Sequence, residues 1–334
     1  MSEELSQSVQ HNLALSDEAE PTPSWGALPV EQYLIRSWDW SSPQPSQEQR
    51  LALVRAFLAL DNIPAEWDCT RGIPSHRREL QRVPTEDEVR IILQPWRPAR
   101  WRWVASQIWT RRGTWNEAIW LRTHYAEGTD DKFAEWRATD EDNDPNYDED
   151  TVKWTVLNDR DVFNFGDEWW RVFDVLPELA GPQGGYFRGG PQDMMQELRE
   201  ELRQDIERRA ATGQHERPED AAVLEAEYGE HGQKLQVFAV ASFLLVADAR
   251  AFETDRLRLL YLDHKGNIVR HSTVEVEYAW ETRNYWSGYR FEEATWWGHK
   301  HNLLTGESDE DGGELADEYH ARGSLGRLLY GLDL

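Results

Sequence analysis

Cysteine is nearly absent from this sequence: Cys69 stands alone in 334 residues. One thiol makes neither an internal disulfide nor a thiolate metal cage, and His76 seven residues on defines no dyad with it. Lysine is scarce too, five residues against thirty-one arginines. Codon bias, a preference for planar stacking cations and adaptation to high salt all give that ratio. No run approaches eighteen consecutive apolar residues, so no membrane-crossing helix is expected. The opening residues, MSEELSQSVQHNLALSDEAEPTPS, have neither the basic and apolar regions of a secretory signal nor the arginines of a mitochondrial presequence. The sequence also holds no GxSxG, P-loop, GxGxxG or CxxC. These absences together lead us to expect a cytoplasmic protein without membrane association, cofactor or metal.

Acid, by contrast, is abundant and unevenly placed. The net charge is −26. Residues 1–31, 126–151, 193–231 and 307–318 carry −6, −9, −7 and −7, so the rest of the chain is slightly positive at +3. The acidity therefore belongs to tails, loops and one helix, around a scaffold close to neutral.

Periodicity divides the chain further. Residues 1–28 lack apolar spacing and are rich in Ser, Glu and Pro, the composition of a disordered acidic tail. Ser46 is read as the cap of a helix through Leu51, Val54, Phe57 and Leu58. Thr85 and Glu88 form a T-x-x-E capping box ahead of VRIIL. Residues 29–94 thus make a mainly helical region. From Pro95 to the end an α/β domain is expected, with a charged helical insertion at about 190–232. In RWRWVASQIW the alternation of Trp101, Trp103 and Ala105 with Arg100, Arg102 and Val104 predicts a strand. NEAIWLRTHY and TVKWTVLND read as further strands, and TDDKFAEWRAT as a short helix. DEWWRVFDVL fits either type. DMMQELREELRQDIERRAA has a narrow stripe at Met195, Leu198, Leu202 and Ile206, a surface helix. LQVFAVASFLLVAD is apolar enough for a central strand, and LRLLYLD, HKGN and IVRHSTVEV make a hairpin. The fold class is α+β or irregular α/β, a mixed sheet with helices.

The pieces IWLRTHY, KFAEW, VLNDRDVF, SFLLVADARAF and LRLLYLDHKGNIVRHS together resemble an uncharacterised domain family of bacteria and fungi. That family has an R-T-x-[FY] strand, a FLxVAD strand and a later hairpin strand ending in GxxxR. The resemblance covers roughly residues 115–272. It implies a compact α/β domain and assigns no activity to any residue.

Three segments could carry function. Pro95–Tyr125 interleaves six of the eighteen tryptophans with six arginines. Such a stretch suits single-stranded nucleic acid, a cleft in which Arg100 and Arg102 grip an anion, or a buried face. The acidic pI of 4.7 disfavours nucleic acid, and the core reading is preferred. RNYWSGYRFEEATWWGHKH offers a ligand pocket of Tyr285, Trp286, Tyr289, Arg290, Trp296, Trp297, His299 and His301. DEDNDPNYDED fails the calcium-loop register, since Pro145 falls where glycine is needed and Thr151 where the bidentate acid belongs. Its Asp140, Asp142, Asp144 and Asp148 are instead candidate contacts for a basic partner. The leading expectation is a non-enzymatic interaction protein, an acidic inhibitor or neutralising partner of a basic protein. The alternative is an enzyme or binder of a small molecule built on the 283–301 cluster.

Overall fold

The computed structural model describes residues 23–60, 63–67, 82–111, 119–143, 149–180, 191–212, 240–280 and 314–315. They build an α+β fold around one mixed sheet in the order β2-β1-β3-β4-β5-β6. β1 (Ile119–Arg122) pairs in parallel with β2 (Val156–Leu157) on one side and β3 (Val240–Ala247) on the other. β4 (Arg256–Asp263), β5 (Ile268–Glu275) and β6 (Glu314–Leu315) continue the sheet antiparallel.

The hairpin between β4 and β5 lies where the sequence places it. Asp263 accepts from the backbone N–H of Lys265 at 2.8 Å and of Asn267 at 2.9 Å, while Gly266 takes a φ of 78°. Only a residue free of a Cβ clash adopts that φ cheaply. A Cβ there would also meet the Phe173 ring at 2.8 Å.

β3 is buried on both faces from Phe243 to Ala247, as its continuous apolar run requires. On one face Leu244, Val246, Leu260 and Leu262 belong to a core that also holds Leu28, Leu34, Phe57, Trp101, Trp109 and Leu176. That face is covered by α1 (Pro29–Ser37), α2 (Ser46–Leu58), the helical turns at 86–93, α4 (Ala99–Arg111) and the short turns of 160–179. We number Glu86–Glu88 as α3. Across the sheet, Trp120 packs edge-on to Phe133 of α5 (Thr129–Asn143), and Trp136 stacks on Phe252 at 4.7 Å. Helices on both faces of a mixed sheet give three layers.

Four local expectations need correction. The disordered tail expected over residues 1–28 does not extend through 23–28, where Leu28 is fully buried in the core and Trp25 lies against Arg102. RWRWVASQIW is the interior of α4, not a strand. Its buried Trp101, Val104, Ala105, Ile108 and Trp109 are spaced 3, 1, 3 and 1, the helical stripe. TVKWTVLND begins as a helix, Glu149–Thr155, and only Val156 and Leu157 are extended. Ser46 is the first residue of α2; Pro45 occupies the cap position and no side chain caps that end. The box at Thr85 is present in full, with the Glu88 N–H donating to the Thr85 hydroxyl at 3.3 Å and the Thr85 N–H to the Glu88 carboxylate at 2.9 Å.

Candidate functional site

The Arg–Trp stretch is the place where the scaffold neutralises itself. Pro98 opens α4, accepting from the N–H groups of Trp101 and Arg102, and the helix then runs through the core. Arg97 donates to both oxygens of Glu178, at 2.8 and 2.9 Å, and to the Val175 carbonyl at 3.1 Å. Neither side chain of the pair exceeds 1 % exposure. Arg102 donates to Glu31 at 2.7 and 3.2 Å, with its guanidinium 3.5 Å above the Trp25 ring. Arg100 lies over Trp101 at 5.0 Å. Arg102 is therefore committed to Glu31 inside the fold, so Arg100 and Arg102 do not form the anion cleft that their spacing allows.

The same pattern continues along β1 and α5. Arg122 is 3 % exposed on its side chain and bonds the His124 carbonyl (2.9 Å), the Thr129 hydroxyl (2.7 Å) and Asp130 (2.5 Å). Tyr125 lies under its guanidinium at 4.4 Å and donates to the Arg122 carbonyl at 3.1 Å. Burial pushes the Tyr125 phenol well above its ordinary value, against the smaller opposite effect of Arg122. The carboxyl ends of parallel strands are where open α/β sheets commonly receive ligands. Here the R-T-x-Y corner fills that edge with its own side chains.

Arg137 lies 4.8 Å from the Trp120 ring and donates to Asp140 at 2.6 Å. Asp140 is 1 % exposed. This corrects the expectation for that aspartate: it belongs to α5 and faces Arg137, so it presents no charge to a partner. Asp142, two residues on, is exposed. Asp144 and Asp148 lie outside the described residues. So do Tyr285, Trp286, Tyr289, Arg290, Trp296, Trp297, His299 and His301, and with them the whole aromatic and histidine cluster. Among the described residues no three His, Cys, Asp or Glu side chains come together as a metal site. No helix among them is long and apolar enough to cross a membrane.

The electrostatic result is a division of labour between inside and outside. Four buried arginines, Arg97, Arg102, Arg122 and Arg137, each hold a carboxylate. On the surface Arg55, Arg82 and Arg256 are taken up by Asp174, Glu88 and Glu275. The surface helix Pro191–Ala211 pairs Arg203 with Glu200, and Arg208 and Arg209 with Asp205, by its own i,i+3 and i,i+4 contacts. Among the described residues, most of the scaffold's arginines are thus committed to nearby acids. No protein-family model, curated protein or solved structure matches this chain.

Proposed function

We propose that this is a cytoplasmic, non-enzymatic interaction protein whose acidic segments engage a basic partner protein, as an inhibitor or neutralising protein would. The observation that carries this reading is the partition of charge. Among the described residues most of the scaffold's arginines are held in internal pairs, which leaves few described cations to meet the acid excess of the segments. Uncompensated surface charge of one sign steers a partner of the opposite sign and makes its affinity depend on salt. The contact surface includes Asp142, Asp144 and Asp148 and leaves out Asp140, which Arg137 holds inside.

The test is to capture partners on the immobilised full chain, purify the most abundant basic protein, and titrate it against the wild type and the variant Asp142→Asn/Asp144→Asn/Asp148→Asn. Screening shortens the reach of exposed charges to roughly 6 Å at 0.3 M salt, so affinity is expected to fall about tenfold or more between 0.05 and 0.3 M. The triple variant should bind more weakly at low salt and converge on the wild type at high salt. Equal affinities for the two proteins at both salts would remove this loop from the interface. Salt-independent binding would refute the electrostatic reading altogether.

A further inference from the structure

Five arginines are buried among the described residues, and one of them breaks the pattern. Arg50 is 6 % exposed, yet it makes no ion pair with any described carboxylate. Its Nε donates to the Ile92 carbonyl at 2.8 Å and its Nη2 to the Ile91 carbonyl at 3.0 Å. These bonds use one edge of the guanidinium. The other edge, Nη1 with the second Nη2 hydrogen, carries no bond among the described residues. Burial lowers the guanidinium pKa, and no neighbouring acid offsets the effect. A buried cation without a counter-charge is strongly disfavoured, which is why the other four hold carboxylates.

Arg50 also lines a groove of about 550 Å³ between α2, the turn after α3 and the 162–175 segment. That volume suits a small ligand, for which sites of about 300–1,000 Å³ are usual. Half-buried Leu51, Ile91, Trp96, Val162, Phe165 and Val175 give it apolar walls. Ser46 and Gln47, in the first turn of α2 that no side chain caps, complete the lining. Arg171 is at the rim, over Phe165 at 5.0 Å and paired with Glu168 at 3.3 Å. The acid in the lining, Asp174, is held by Arg55 through bonds of 3.2 and 3.3 Å, so it does not serve Arg50.

We propose that this groove binds a small organic anion, with its carboxylate or phosphate on the open edge of Arg50 and its aromatic or alkyl body against Trp96, Leu51 and Phe165. The guanidinium supplies a planar fork that fits either group. The site is separate from the acidic segments and does not depend on their role.

The test is calorimetric titration of the full chain with 1-naphthoate, octanoate and phenyl phosphate, with neutral 1-naphthamide as the isostere and inorganic phosphate as the bare anion. One-site binding is expected for at least one of the three amphipathic anions, about tenfold tighter than for the amide. The preference between carboxylate and phosphate names the headgroup. Arg50→Lys keeps the charge and loses the fork, and should cut the anion-over-amide ratio about tenfold. Merely structural damage would weaken anion and amide alike. Arg171→Glu, at the exposed rim, should weaken the anion a few-fold while leaving the fold intact. Equal binding of naphthoate and naphthamide would overturn the proposal, as would no binding by any of the three anions up to about 5 mM.

Discussion

Removing one half of the Arg97–Glu178 pair should unfold this protein far more easily than its acidic surface would suggest. Glu178→Gln keeps the shape of the side chain and one acceptor for Arg97, but leaves the guanidinium as a cation at 0 % exposure. Arg97→Met leaves the opposite problem, a carboxylate at 1 % exposure, and also frees the Val175 carbonyl. Breaking a buried pair from one side costs about 3–5 kcal/mol. In a domain of this size that is a fall of roughly 10 °C in melting temperature. Taking both charges away is different, because no ion is left to desolvate. Arg97→Met/Glu178→Leu should lie within about 2 kcal/mol of the wild type, the freed Val175 carbonyl contributing to the remaining loss. Urea unfolding followed by tryptophan fluorescence measures all four proteins. The cycle should give a coupling of several kcal/mol. If either single variant loses less than about 1 kcal/mol, the pair is behaving like an exposed ion pair and the argument from burial fails.

Gly266→Ala should destabilise by about 1–3 kcal/mol, since φ is 78° and the new Cβ meets Phe173 at 2.8 Å; an unchanged thermal melt would contradict the turn geometry. Tyr125 holds its proton in the folded state at pH values where the unfolded chain loses it, so its contribution is intact below about pH 10 and is lost as pH rises beyond. Tyr125→Phe should therefore melt with a shallower decline than the wild type between about pH 9 and 11, and parallel curves would refute the assignment.

Local rules were enough where a short stretch decides its own structure. The Thr85–Glu88 box needs only four residues, and the Asp263–Asn267 turn needs only an acceptor and a glycine in the right order. β3 was legible because eight consecutive apolar or small residues fit no solvent-facing element. α4 is illegible in the sequence for a related reason. Trp101 and Trp103 suggest alternation, and the helix has almost no wet face to reveal its period, since even Arg102 is buried against Glu31. The acidic run after Thr139 gives no sign that Asp140 differs from Asp142. The difference is the rotation of about 200° that two residues make around a helix axis, which aims one carboxylate at Arg137 beside Trp120 and the other at water.

The sequence by itself determined the class of fold, the central strand, the hairpin and the separation of acid from scaffold, because these follow from periodicity and composition along the chain. Tertiary structure alone decided which charges meet. Glu31 finds Arg102 across 71 residues and Glu178 finds Arg97 across 81, and no local rule links them. Nor does anything in the sequence set Arg50 apart from thirty other arginines. It becomes distinct only when folding buries it beside a groove and brings no carboxylate among the described residues to meet it.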